Sequence, residues 1–266
     1  MKMIKLKIII VNYNQKDLLE QCLNYIKKAA IEMSHKIIVI DNNSNDGSKN
    51  FLTETRNTDC EIILNNKNLG FAKATNQGLK KIKSEYSLIL NPDVILQGGV
   101  IEKMIDFMDK NPSCGICGPK LLNLDGSLQY SCRRFPRWYT PLARHTILYK
   151  TKWGKEENRR YLMKDWAHNE NFTVDWLIGA CLLVRDAALD KVGLFDEQYF
   201  LYFEDVDLCR RFKQKGWKVI YLSDISLVHL YQRESTRLIL PQALFNRFIW
   251  IHLFSAIKYF SKWGLK

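Results

Sequence analysis

The stretch FLYFEDVDL at residues 200–208 places three acids, Glu204, Asp205 and Asp207, directly behind large apolar side chains. Burying an unpaired carboxylate is costly. Acids in this setting read as a helix N-terminus, a metal site, a catalytic base or a solvated edge. Another acid, Asp93, follows the apolar run SLIL within NPDV. It is either a turn Asp after Pro or a carboxylate able to bind a divalent cation that carries a diphosphate. His229, one of five histidines, stands in SLVHLYQREST just after a strand-like run. Both a ligand and a satisfied core or surface histidine fit that position.

These residues need a scaffold, and the first half of the chain supplies its pattern. KIIIV (7–11), KIIVI (36–40), EIILN (61–65) and SLILN (87–91) read as strands. Between the first two, Asp17 to Ala30 carries apolar residues at 18, 19, 22, 23 and 26, one face of a helix. A second helix is predicted over about 69–83, and DNNSNDGS is a turn segment that can cap a following helix. Strand–helix alternation with short connections predicts right-handed crossovers and a mostly parallel sheet. Ligands bind such sheets at the carboxyl ends of the strands. Asn12-Tyr13-Asn14, Asp41-Asn42-Asn43, Asn65-Asn66 and Asn91-Pro92-Asp93 all fall there.

Past residue 112 the pattern changes. LLNLDGSLQY (121–130) carries a hairpin signal around Asp125-Gly126, and CRRFPRWYTP opens a basic, aromatic, strand-poor stretch to about 170. Loops of that length are usually functional. VDWLIGACLLV (174–184) returns to the sheet, Glu204 to Lys215 reads as a helix stopped by Gly216, and WKVIYL (217–222) is another strand.

The chain has 266 residues, 47% hydrophobic and 26% charged, which argues against wholesale disorder. The apolar run Ile8 to Val11 is too short for a signal-peptide core, and no run of about 18 apolar residues predicts a spanning helix. Seven cysteines, an odd number mostly in apolar contexts such as Cys22, Cys181 and Cys209, predict reduced, buried thiols. The net charge of +12 is concentrated: residues 131–164 carry ten Lys/Arg against two Glu, and 230–266 carry six against one. Such segments attract phosphates, whether on nucleic acid, anionic lipid or a diphosphate substrate.

In order along residues 5–235, the series IIIVNYN, IVIDNNSNDGS, NKNLGFAKATNQG, LILNPD, DWLIGACLLVRDAALDKVGLFDEQYFLYFEDVDLCRRFKQKGWKVIYL and VHLYQREST resembles the inverting family-2 glycosyltransferases. Their fold is GT-A: a Rossmann-like, mostly parallel sheet flanked by helices. The likeness is greatest to bacterial rhamnosyltransferases of O-antigen and cell-wall assembly, whose basic block CRRFP also resembles.

The resemblance implies roles residue by residue. Val11 and Tyr13 would line the base pocket, and Asp41 would accept the N3–H of uracil or thymine. Asn66, Gly70 and Asn76 match the nucleotide-side loop and helix. Asp93 matches the metal-binding Asp of a DxD-like motif, here reduced to NPD, and His229 the second ligand of a Mg2+ or Mn2+ ion. Asp205 matches the catalytic base, with Glu204 orienting it or the acceptor, and Asp207 could be only a first-turn acid. Trp176 and Gly179 match the acceptor-side strand, although Trp176 could simply be core. Arg133, Arg134 and Arg137 could hold a pyrophosphate on the acceptor lipid or form a solvated loop.

The expected architecture is a glycosyltransferase domain over 1–235, with a nucleotide-sugar half (1–112) and an acceptor half (113–235), and a basic amphipathic tail over 236–266. In that tail Arg247, Ser255, Lys258 and Lys262 share one helical stripe, which fits an in-plane membrane helix or docking against the protein's own sheet or a dimer partner. The implied reaction transfers L-rhamnose from dTDP-rhamnose to a polyprenyl-diphosphate-linked saccharide, peripherally at the inner face of the cell membrane. The alternative in the same class uses a UDP-hexose or UDP-N-acetylhexosamine. A nucleic-acid-binding protein is the alternative of another class; its recognition motifs are not visible.

Overall fold

The computed structural model describes residues 4–54, 60–230 and 247–265. The YQREST end of the last motif and the boundary expected at 235/236 lie outside them. The first half forms strand β1 (Ile4–Asn12), helix α1 (Lys16–Lys28), β2 (His35–Asp41), α2 (Ser48–Glu54), β3 (Cys60–Leu64), α3 (Phe71–Lys81) and β4 (Ser84–Leu90). β1 pairs in parallel with β2 on one side and β4 on the other, and β2 pairs in parallel with β3. Ile8, Ile9 and Ile10 of β1 have no exposed surface, because helices cover both faces of the sheet. Asp46, in the turn after β2, serves two helices: its carboxylate accepts from Lys16 N at 2.8 Å and from Ser48 N at 3.1 Å.

The second half adds β5 (Val94–Ile95), α4 (Val100–Lys110), β6 (Cys114–Leu122), β7 (Leu128–Gln129), β8 (Cys132–Arg133), α5 (Thr140–His145), α6 (Lys152–Tyr161), β9 (Phe172–Thr173), β10 (Trp176–Leu177), β11 (Cys181–Arg185), α7 (Asp186–Val192), α8 (Glu204–Gln214), β12 (Lys218–His229) and α9 (Arg247–Trp263). The main sheet runs β3-β2-β1-β4-β11-β6-β12-β5, with β11 antiparallel to both neighbours. The fold is therefore the expected α/β one. Within 174–184 only β11 joins this sheet; Trp176 and Leu177 pair instead with Arg133 and Cys132 in a separate two-stranded ribbon.

The stretch expected to be loop contains helices. Thr146 and Thr151 cap a short 3-10 turn and α6, respectively, with side-chain oxygens accepting from Leu148 N and Gly154 N. The buried face of α6 is Gly154, Glu157 and Tyr161, too polar to show an apolar period. Glu157 is held by Arg160 at 2.6 Å and by the Thr140 hydroxyl. No disulfide occurs among the described residues. Cys114 and Cys117, spaced as CxxC, are buried in β6, and burial pushes the Cys117 thiol well up.

Candidate active site

The carboxyl ends of β1, β2 and β4 open onto a cleft of about 1470 Å³. Val11, Tyr13, Asn42, Asn68 and Gly70 line its first wall. Asp41 does not: it is 0% exposed, its oxygens accepting from Asn12 Nδ2 at 3.0 Å and Ser44 N at 3.0 Å. The adjacent Asn42 reaches the cleft, tied to Asn68 Oδ1 at 2.9 Å and accepting from Leu69 N at 2.9 Å. Asn66 is exposed away from the cleft. Asn76 is buried, donating to Phe195 O at 2.9 Å and accepting from Phe195 N at 3.1 Å, so it fastens α3 to the segment before α8. Gly70 has φ +82°, and a Cβ there would lie 2.4 Å from Phe200 O. Its requirement comes from that close chain crossing.

At the end of β4, Asp93 Oδ1 is buried with no hydrogen-bond partner among the described residues and faces His229 Nε2 at 3.2 Å. Gln129 orients the imidazole. Its Nε2 donates to His229 O at 2.8 Å and Asn123 Oδ1 at 2.9 Å, which turns Oε1 toward His229 Nδ1 at 2.9 Å. That contact places a proton on Nδ1 and leaves Nε2 as the ring nitrogen facing Asp93. One carboxylate and one imidazole at a cleft wall fit a Mg2+ or Mn2+ ion whose other ligands come from diphosphate and water. No group of three or more His, Cys, Asp or Glu suited to a metal exists among the described residues.

Two acids of α8, Glu204 and Asp205, line the same cleft. Tyr202 (φ 68°) and Phe203 (φ 69°) both adopt the left-handed region, which for non-glycine residues costs about 1–3 kcal/mol each. This turn aims Glu204 and Asp205 into the cleft. Asp205 Oδ2 accepts from Gly179 N at 3.0 Å and Oδ1 from Val206 N at 2.8 Å. Burial nevertheless raises its pKa from 3.8 to about 6, against the pull of those amides and of Arg133. Glu204 is pushed well above the carboxylate range by burial and then by the Asp205 charge. Its Oε2 has no hydrogen-bond partner among the described residues.

The Glycosyl transferase family 2 model matches residues 7–193. The chain belongs to this family. A Mycobacterium tuberculosis N-acetylglucosaminyl-diphospho-decaprenol L-rhamnosyltransferase is 28% identical over 84% of this chain and 75% of its own length. Rhamnosyltransferase WbbL of Escherichia coli K12 is 26% identical over 96% and 92%, and the Shigella flexneri dTDP-rhamnosyl transferase RfbF 24% over 86% and 70%. The fold matches GalNAc-T7 with UDP, GalNAc and Mn2+ (TM-score 0.65, 17% identity, 87% of this chain and 44% of that one). It also matches the mannosyltransferase PcManGT from Pyrobaculum calidifontis with GDP-Man and Mn2+ (0.59, 16%, 88% and 59%). The chain thus spans well under two thirds of both solved structures.

In this glycosyltransferase the cleft gathers Val11, Tyr13, Gly70, Asp93, Glu204, Asp205, His229, Trp176, Gly179 and Arg133 from the expected set. It leaves out Asp41, Asn66, Asn76, Arg134 and Arg137. Arg134 lies 3.9 Å from Asp165, and Arg137 donates to the Tyr139 hydroxyl at 2.7 Å. Trp176 lines the cleft although nearly all of its surface is buried, with Nε1 donating to Arg134 O at 3.0 Å. Gln129 and Arg144 escape sequence reasoning, and Asn42, placed at the strand-end rim, is given no role of its own. Asn42 carried a signal, since alternation along a strand end puts neighbouring side chains on opposite faces. For Gln129 and Arg144 no local pattern points to the cleft.

Proposed function

We propose that this glycosyltransferase inverts the anomeric carbon of a nucleotide sugar, most specifically L-rhamnose from dTDP-rhamnose, in transfer to a saccharide linked to a polyprenyl diphosphate. The observation that carries this reading is one cleft lined by both a raised-pKa carboxylate, Asp205, and the Asp93–His229 pair. Residues 1–112 would hold the donor and 113–235 the acceptor. Val11, Tyr13 and Asn42 would wall the base pocket, with Asp41 bracing that wall from behind. Asp93 and His229 would hold Mg2+ or Mn2+, which supplies charge neutralisation to the departing diphosphate.

Asp205 takes the proton from the acceptor hydroxyl as that oxygen attacks. Gly179 N–H keeps the carboxylate oriented, and Glu204, pushed toward its protonated form by burial, would donate a hydrogen bond to the acceptor or to Asp205. The rhamnosyltransferase names of the curated relatives support the donor, and the diphospho-decaprenol of the mycobacterial one supports the acceptor. Peripheral contact with the inner membrane face is part of the same reading. Among the described residues no helix is long and apolar enough to cross a membrane.

Nucleotide protection tests the reaction class. Thymidine diphosphate with Mg2+ raises the melting temperature of the protein, and EDTA removes most of that rise. A rise with uridine diphosphate alone moves the donor to a UDP-hexose; no rise with either nucleotide overturns the reading.

A further inference from the structure

Beyond the Glu204–Asp205 pair, the cleft wall is cationic and aromatic. Arg133, at the end of β8, donates from Nε to Tyr130 O at 3.2 Å. Its guanidinium stands 5.1 Å from the Trp176 ring centre and 5.6 Å from that of Tyr161. Arg144, from α5, stands over the same Tyr161 ring at 4.6 Å. Two guanidinium groups therefore share one aromatic ring, and all four residues line the cleft that holds Asp205. Cation–π contact fixes a guanidinium without neutralising it. Among the described residues no carboxylate comes within ion-pair distance of Arg133. Its charge also acts on Asp205, lowering the proton affinity of that carboxylate.

We propose that Arg133 and Arg144, spaced by the Tyr161 ring, bind the diphosphate of the acceptor, a role that Arg134 and Arg137 do not share. This rests on the reaction proposed above. The donor diphosphate belongs with Asp93 and His229, so a second phosphate-seeking centre in the cleft that holds Asp205 serves a second anion. An acceptor whose hydroxyl meets Asp205 carries its own diphosphate at the far end of the sugar, and a pair of planar forks suits two adjacent phosphoryl groups. Arg134 and Arg137 lie off the cleft, and Arg137 sits 3.7 Å from the buried Glu157. Phe248 and Ile251 of α9, also lining the cleft, offer apolar surface to the first lipid units.

The test is calorimetric titration of the full chain with farnesyl diphosphate while the donor site is saturated with thymidine diphosphate and Mg2+. Arg133→Ala and Arg144→Ala each weaken farnesyl diphosphate binding about tenfold or more, the loss of a charge-assisted phosphate contact. Arg144→Lys recovers about threefold at most, since an ammonium keeps the charge without the fork. Arg159→Ala, exposed in the same basic segment, leaves the affinity unchanged. Equal binding by wild type and Arg144→Ala overturns the site, and so does an equal loss in Arg159→Ala, which would mean diffuse attraction. Failure of thymidine diphosphate to bind strikes the proposed reaction instead. Nucleotide binding without farnesyl diphosphate binding removes only the arginine site.

Discussion

Asp205 and Asp207 are the same side chain two positions apart, and the fold puts them to different uses. Asp205 faces the cleft and is held by two backbone amides, which orient a carboxylate without neutralising it. Asp207 is 0% exposed and receives Arg211 Nε, Trp263 Nε1 and Lys262 Nζ, each at 2.8 Å. Asp205→Asn keeps the shape but removes the proton acceptor. Its turnover falls by about 10²–10⁴ with the nucleotide affinity retained; loss of nucleotide binding instead would show that Asp205 is not the base. The raised pKa of Asp205 also sets opposite pH trends for activity and stability. The base must be ionised, so kcat falls as pH drops through about 6. Folded Asp205 binds its proton more tightly than the unfolded chain does, so its contribution to stability is greatest below about 4 and declines as pH rises from there to about 6. A pH–rate profile with no acid limb near 6 contradicts the assignment.

At the scale of elements, α9 holds the strained turn that carries those acids. Phe203 packs 5.2 Å from the Tyr259 ring and 5.3 Å from His252, while Ser255 Oγ donates to Leu201 O at 2.8 Å. Left-handed Tyr202 and Phe203 persist because surrounding contacts over-determine them. Removing the tether tests this: Asp207→Ala leaves Arg211 and Lys262 without their buried partner, at a cost of about 3–5 kcal/mol. A lower melting temperature is expected, together with a drop in kcat larger than any change in nucleotide affinity when both are measured well below the transition. A normal kcat would separate α9 from the site. The first four strands were legible because buried parallel strands are written as unbroken β-branched runs such as KIIIV and KIIVI. The Asp205 position was legible from its motif. Its buttress was not, because left-handed backbone at Tyr202 and Phe203 leaves no trace in residue types that normally avoid it.

Across the whole molecule, the polar stripe of the tail docks on the protein, one of the readings its sequence offers. Arg247, Ser255, Lys258 and Lys262 were read as one polar stripe, and Ser255, Lys258 and Lys262 bond inward, Lys258 to Gln198 O at 2.6 Å and Lys262 to Asp196 at 2.7 Å. The docked face is polar because the acids and carbonyls it meets lie far away in sequence, where helical periodicity cannot see them. Trp250, Leu253, Phe254 and Ile257, spaced at three and four residues, are left exposed, Phe254 at 57%. Exposed Ile147, Leu148 and Trp153 lie beside Lys150, Lys152 and Lys155 in the other basic segment. Exposed apolar side chains in two segments, one of them interleaved with exposed lysines along the sequence, suit the boundary of an anionic bilayer. Deleting the helix cannot test this, since Ala256 and Tyr259 belong to the core and their loss would unfold the site. The triple change Leu253→Glu, Phe254→Glu, Ile257→Glu touches only the exposed face. It is expected to shift stability little, as surface substitutions do, by about 0.5 kcal/mol per site or less. Co-sedimentation with vesicles containing phosphatidylglycerol should drop severalfold while the thymidine diphosphate-induced rise in melting temperature persists. Sedimentation equal to that of the unaltered chain would assign this apolar face to something other than a membrane.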